Sequence, residues 1–439
     1  MMKLKYISLI LLTVLVYSCK PELDEFTVSS GSADFSTYVA IGNSLTAGYA
    51  DGSLYRSAQE LSFPAALAKQ FAKAGGGEFV QPLMQGEYGI LPGKLKLGYT
   101  TDCLGTTSVG PVPDVGPLDD LAPIGYQVNN LGVPGAKSFH LLAPGYGDLA
   151  GVPLGLANPY YARFASSPQA TVIGDALALQ PTFFTLWIGG NDVLGYATSG
   201  GEGDTITGQA TFAYTLNAIL EALTGTGAKG AIANIPSVTS SPFFTTVPAN
   251  GYVLTQGQAD TLNLFLGQYG FSYAAGPNYF IIEDSTSPLG FRQMTEGELL
   301  LLTVPQDSLK CAYWGGFNPV LMAPVPIPGQ YVLTQDEIAR ISDAVDGYNA
   351  TIANLAAQYD LALVDANKML KDVQAGVIVN GISLNSEFVT GNIFSLDGIH
   401  PTPLGYAYVA NNFIEAINAK YGATLPLLNL SEYSSVVLP

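Results

Sequence analysis

Five short strand-like runs, at residues 38–41, 124–128, 182–188, 230–234 and 361–364, constrain this chain more than any other feature of its sequence. A strand with one face in water alternates apolar and polar side chains. A run such as Tyr38-Val39-Ala40-Ile41 is apolar on both faces and has to be covered on both. Helical patterns separate the runs. One covers residues 63–72; the clearest starts at Thr334, where Thr334 and Glu337 fit a capping box. Ile338, Ile341, Val345, Tyr348, Ile352 and Leu355 then follow at three- and four-residue spacing along one face. Buried strands alternating with amphipathic helices predict the α/β class: a parallel sheet with helices on both sides, in a single domain over about residues 34–430.

The chain has 439 residues, more than such a sheet and its helices need, and two stretches read as insertions, at about 51–123 and 237–330. The first is rich in Gly, Pro and Thr, the second in aromatic residues and Pro, and each exceeds a plain connection. The pentad Tyr-Val-Leu-Thr-Gln at 252–256 recurs at 331–335, each time before a helical pattern, as if one strand-end and helix-cap chemistry were used twice. Only 12% of residues are charged, about half the usual ~25% of soluble domains. That composition suits an extracytoplasmic protein. With 35 acidic against 17 basic side chains, a formal charge of −18 and no basic cluster, the chain is ill suited to replace the counterions of nucleic acid or to hold anionic lipid by charge.

Residues 1–18 read as a lipoprotein signal peptide: Lys3 and Lys5, then an apolar stretch from Tyr6 to Val16. That stretch is roughly half of the ~20 residues needed to span a bilayer. Val16-Tyr17-Ser18-Cys19 resembles a bacterial lipobox, which makes Cys19 the lipidated residue. The expectation is a protein of the bacterial cell envelope, lipid-anchored in the outer membrane on its periplasmic or surface face; an ordinary secretory signal is the alternative. Residues 19–33 read as a flexible tether. Cys103 and Cys311 remain. An oxidising compartment permits a bridge between them, but two buried thiols are equally compatible with the sequence.

Gly42-Asn43-Ser44 directly follows the first run, which puts Ser44 at the carboxyl edge of the sheet, where α/β folds bind ligands. Far along the chain, Asp397-Gly398-Ile399-His400-Pro401 sets a carboxylate three residues before a histidine. Asp397 can hold one ring nitrogen and leave the other free, so that Ser44, His400 and Asp397 form a nucleophile, a base and an orienting acid. Thr402 and Pro403 read as the cap and first residue of a final helix reaching about Lys420. Two further segments offer hydrogen-bond donors to a developing oxyanion: the side-chain amide of Asn191 in Gly189-Gly190-Asn191-Asp192, and the backbone N–H of Gly135 in Asn130-Leu131-Gly132-Val133-Pro134-Gly135.

Taken in order, these four segments resemble the four blocks of the SGNH hydrolases, also called the GDSL lipase/esterase family. The resemblance covers the framework from Tyr38 to about Tyr421 and neither insertion. It implies a flavodoxin-like three-layer α/β/α sandwich and hydrolysis through an acyl-enzyme, without a metal or organic cofactor. Residue by residue it makes Ser44 the nucleophile and first oxyanion donor, Gly135 and Asn191 the other donors, His400 the base and Asp397 its orienting acid. One departure is Asn43, where the family name implies Asp; the triad does not use that side chain.

The leading expectation is a lipid-anchored carboxylic ester hydrolase of the lipase/esterase type, acting on a small-molecule, lipid or acylated-glycan ester. A polysaccharide O-deacetylase and a non-catalytic surface binding protein are the alternatives. Phe243, Phe244, Tyr252, Phe265, Tyr279, Phe280 and Trp314 of the second insertion either roof the site for an acyl chain or simply pack. Trp187 and Phe183-Phe184 read as core, His140 as a packed or surface histidine, and Asp192 as a support for its loop.

Overall fold

The computed structural model describes residues 27–438. The signal segment and Cys19 lie outside the described residues. Among them no helix is long and apolar enough to cross a membrane. The strands that build the sheet are β1 (Tyr38–Gly42), β2 (Asn130–Gly132), β3 (Phe183–Trp187), β4 (Lys229–Ala233) and β5 (Ala362–Val364). The helices needed below are α1 (Ser44–Ala47), α2 (Phe63–Lys73), α3 (Val172–Ala178), α4 (Asn191–Thr198), α5 (Gln209–Thr224), α6 (Gln335–Gln358), α7 (Ala366–Ala375) and α8 (Pro403–Tyr421).

All neighbouring strands of this sheet are parallel, in the order β5-β4-β3-β1-β2. That is the flavodoxin-like order 2-1-3-4-5 of a doubly wound sheet, as expected. The chain leaves β1 toward one edge and returns to β3 on the other side of it, so the loops after β1 and β3 part and leave a crevice at the carboxyl ends.

Successive side chains face opposite layers. Tyr38, Ala40, Phe183, Trp187, Ala231 and Ala362 join one core with Phe63 and Phe71 of α2, Leu370 of α7 and Phe413 of α8. Val39, Ile41, Phe184, Leu186 and Ile232 join the other with Ile173 of α3, Leu216 of α5 and Tyr348 of α6. Alanines on the first face of the sheet leave room for large rings from the helices above, and Phe63 stacks on Phe413 at 4.8 Å. The Thr334–Glu337 capping box forms, and its counterpart Thr255–Gln258 forms after the first copy of the pentad.

Three expectations need correction. Residues 124–128 are not a strand; the edge strand is β2, at 130–132. Pro123 and Gly125 break the run, and Gly125, Tyr126 and Gln127 are exposed. Within the first expected insertion, residues 63–73 are α2 of the sandwich itself, with Phe63, Leu67 and Phe71 fully covered. The end of the expected tether is tied down: Ser32 N–H donates to the Tyr421 carbonyl at 2.8 Å, and Thr424 N–H to that of Ser29 at 2.9 Å.

The added structure takes two forms. A largely exposed hairpin pairs Leu95–Thr101 with Thr107–Pro113. Residues 237–330 form short two-stranded ladders over two small apolar cores. The two stretches meet at the hairpin tip, where Cys103 and Cys311 form a disulfide and Lys310 pairs with Asp102 at 2.8 Å.

Candidate active site

β1 ends at Gly42, and the Asn43 side chain accepts the Leu45 N–H at 3.0 Å, capping the four-residue helix α1. Asparagine thus supplies the turn's acceptor as an aspartate would. Ser44 opens α1, so its own N–H has no helical acceptor. The base arrives from the other end of the chain: the Thr402 hydroxyl accepts the Gly405 N–H at 3.0 Å and starts α8, which leaves residues 395–401 as a loop over the end of β1.

In that loop His400 Nε2 lies 2.8 Å from Ser44 Oγ, and His400 Nδ1 lies 2.8 Å from Asp397 Oδ2. The ionised carboxylate assigns the ring proton to Nδ1 and leaves Nε2 as the acceptor for the Ser44 hydroxyl. Asp397 Oδ1 also accepts the N–H groups of Ile399 (2.9 Å) and His400 (2.8 Å). Burial works to raise the Asp397 pKa, but the electrostatic attraction to the His400 imidazole and these hydrogen bonds outweigh it and hold the carboxyl below its ordinary range. The Tyr49 ring closes the side of the imidazole, with centroids 4.7 Å apart.

The donor segments follow β2 and β3, the two strands that flank β1. Gly135 has φ +81°, a left-handed conformation that glycine adopts without strain, and no hydrogen bond among the described residues uses its N–H. Gly189 has φ +110°, and a Cβ there would lie 2.6 Å from Ile235 Cδ1. This turn delivers Asn191 to the crevice. Asn191 Nδ2 donates one hydrogen to the Ala136 carbonyl at 2.9 Å, which fixes the amide plane and leaves the second hydrogen for a ligand. Asp192, fully buried, accepts the N–H and hydroxyl of Ser138 at 2.8 and 2.7 Å and so ties the two donor segments together. Burial pushes its carboxyl above the usual range against those two bonds.

An apolar cleft of about 110 Å³ opens beside Ser44, Asn191 and His400. Its walls include Leu45, Trp187, Leu194, Met369, Val373 and Tyr408, from α1, β3, α4, α7 and α8. The aromatic residues of the second insertion do not line it. Phe243 and Phe244 pack with Tyr196, Leu301 and Ile341, while Tyr252, Tyr279, Phe280 and Trp314 pack in the insertion's own cores. Phe265 stacks on Phe317. Trp187, expected as core alone, is both core and cleft wall.

The structure therefore brings Ser44, His400 and Asp397 together, with Gly135 and Asn191 on the adjoining loops. His140 stands apart. Its ring stacks on Tyr146 at 4.4 Å and its Nδ1 accepts the Lys137 N–H at 3.0 Å; burial and the Lys137 charge hold its pKa below 6.5. A hydroxyl bonded to an imidazole that is itself bonded to a carboxylate can lose its proton as it attacks an electrophile. Sequence reasoning missed Asp51, Gly52 and Ser395, which contact Asp397 or its neighbours. Nothing in their local pattern marks them.

No protein-family model matches this sequence, and neither does any curated protein. Among solved structures, an α/β hydrolase enzyme from the metagenome of Lake Arreo, Spain, is similar at 14% identity and a TM-score of 0.36, over 88% of this chain and 96% of that one. The lipase/acylhydrolase of Enterococcus faecalis matches at 12% identity and a TM-score of 0.33, over 87% of this chain and 95% of that one. A catalytic mutant of an acetylxylan esterase from Geobacillus stearothermophilus matches at 12% identity and a TM-score of 0.34, over 90% of this chain and 98% of that one. These are likenesses of chain path alone, and what the site can do rests on its own geometry.

Proposed function

We propose that this chain is a serine ester hydrolase whose substrate presents an apolar acyl group. The observation that carries the reading is the continuous Ser44–His400–Asp397 chain of two 2.8 Å contacts at the mouth of an apolar cleft. The resemblance of its four segments to SGNH hydrolases agrees with it. In this mechanism Ser44 Oγ attacks the ester carbonyl carbon while His400 Nε2 takes its proton. The carbonyl oxygen becomes an oxyanion facing the Ser44 and Gly135 N–H groups and the free amide hydrogen of Asn191. Collapse breaks the bond to the alcohol oxygen, which leaves with the proton from His400. Water, deprotonated by the same nitrogen, then attacks the acyl-enzyme and releases the carboxylic acid and Ser44.

Hydrolysis of p-nitrophenyl esters from acetate to palmitate, by the wild type beside Ser44→Ala, tests this reading. The wild type is expected to turn over and to prefer an acyl chain longer than acetyl, with Ser44→Ala inert. A preference for acetate favours the glycan deacetylase. Wild-type inertness together with no labelling of Ser44 by an organophosphonate overturns the enzyme reading. We also propose that the protein is anchored in the cell envelope through Cys19, on the strength of the lipobox-like residues before it. Metabolic labelling with a fatty acid should mark the wild type and not Cys19→Ala.

A further inference from the structure

Asp397 sits on a loop without regular structure, and most of its hydrogen bonds come from that loop: Ser395, Ile399 and His400. One comes from elsewhere. Gly52 N–H donates to Asp397 Oδ2 at 3.0 Å across 345 residues of chain, to the same oxygen that receives His400 Nδ1. The neighbouring Asp51 makes three more bonds, two of them to this loop. Its Oδ1 accepts the Leu396 N–H at 3.0 Å, its Oδ2 accepts the Tyr55 hydroxyl at 2.7 Å, and its N–H donates to Ser395 Oγ at 2.9 Å. Ser395 Oγ in turn donates to Asp397 Oδ1 at 3.3 Å. Asp51 has φ +53°, a left-handed conformation that Asp and Asn tolerate better than most residues. Its carbonyl accepts the Leu95 N–H at 2.8 Å, the first residue of the exposed hairpin. Every polar group of Asp51 thus has a partner, and two of them, the N–H and Oδ1, hold the triad loop.

We infer that Asp51 is a positioning residue, the centre of a clasp that sets the Asp397 carboxylate against His400. Ser44 and Asp51 lie on one short segment, so the clasp ties the acid's loop to the same stretch of chain that carries the nucleophile. The carboxylate of Asp51 holds the loop backbone at Leu396, while its N–H and that of Gly52 orient the two Asp397 oxygens, one through Ser395. Without the clasp Asp397 keeps its charge and its local bonds but loses its fixed distance from β1. The kinetic consequence rests on the hydrolase reading; the geometry does not.

The chain has only two histidines, which makes the imidazole spectrum of the full-length protein readable. His400 Nδ1–H, bonded to a carboxylate, is expected to give a far-downfield proton in a histidine-labelled sample. His140 cannot give one, because its Nδ1 is an acceptor, and it serves as the folding reference. In Asp51→Ala the downfield proton should disappear or broaden with the His140 signals in place. Asp51→Asn, which keeps an acceptor for Leu396 N–H, should retain it. Ester hydrolysis should fall on the order of 10²-fold in Asp51→Ala, mainly in kcat, and should fall no further when Asp51→Ala is added to Asp397→Asn. A downfield proton unchanged in Asp51→Ala, or an equal loss in both backgrounds, overturns the inference. If Asp51→Ala does not fold, Ser395→Ala becomes the deciding variant, and an unshifted proton there overturns it too. A wild type that shows the proton yet hydrolyses no ester defeats the hydrolase reading and leaves the clasp standing, since the spectrum requires no turnover.

Discussion

Two walls meet at Ser44, and they are built on opposite principles. On one side, Asp51, Gly52, Ser395, Asp397 and His400 form a network in which each carboxylate oxygen accepts at least one hydrogen bond. On the other, Leu45, Trp187, Met369 and Val373 present hydrocarbon, and the buried Ser241 hydroxyl in that wall has no partner among the described residues. A charged group can be kept in a precise place only where its bonds are complete. An apolar wall constrains shape but not orientation. The first wall is therefore suited to moving a proton between fixed atoms, the second to accepting chains of varying length.

The comparison can be broken from the polar side first. Asp397→Asn should lower kcat on the order of 10⁴-fold if it acts as the acid of a serine-protease triad does. A loss below about tenfold, measured by steady-state kinetics, would mean that the network shapes the loop without serving the base. Next is the donor segment: Asn191→Ala should cost about 10²- to 10³-fold in kcat with little change in KM. A change confined to KM would place Asn191 in ground-state binding.

The apolar wall should respond differently. Met369→Trp narrows the cleft from α7, and the p-nitrophenyl panel should show longer acyl esters losing roughly 10- to 200-fold relative to acetate, as expected for rejected methylenes in an apolar pocket. A uniform loss across the panel would remove the cleft from acyl binding. The smallest effect concerns His140, which belongs to neither wall. Its folded pKa is depressed, so the native state favours the neutral ring. Below the unfolded value of about 6.5 the unfolded chain takes up a proton that the native state resists. The stability this group contributes is thus complete above that pH and is lost as pH falls through the native value. Thermal melts should show Tm falling between pH 7.5 and 5.5 in the wild type and falling less in His140→Gln, while ester hydrolysis at pH 7.5 stays unchanged.

The polar wall was readable in part because part of it is local. Asp397 and His400 are three residues apart, and Ser44 follows an unmistakable buried strand. The clasp was not readable: Asp51 meets Leu396 across 345 residues, and both look like ordinary loop residues. The sequence left open whether the aromatic residues of the second insertion roof the cleft or only pack. Its walls come from α1, β3, α4, α7 and α8, with Val238 and Ser241 from the start of that insertion but none of its aromatic residues. Aromatic content shows that a side chain must be covered but not which neighbour covers it, and the insertion's rings cover one another. The misplaced edge strand has a similar cause, since β2 has three residues and takes its register from β1 alone.

By itself, the sequence determined the layers: runs apolar on both faces demand helices on both sides, and capping residues such as Thr334 and Thr402 mark where helices begin. It also singled out Ser44, His400 and Asp397, a hydroxyl, an imidazole and a carboxylate that the fold brings within hydrogen-bond distance of one another. Only the tertiary structure decided which surface faces Ser44, that Asp51 holds the acid's loop, and that Cys103 reaches Cys311. The last two depend on contacts between segments more than two hundred residues apart. Local propensity carries no information about such pairs, because their geometry exists only once the sheet has brought the segments together.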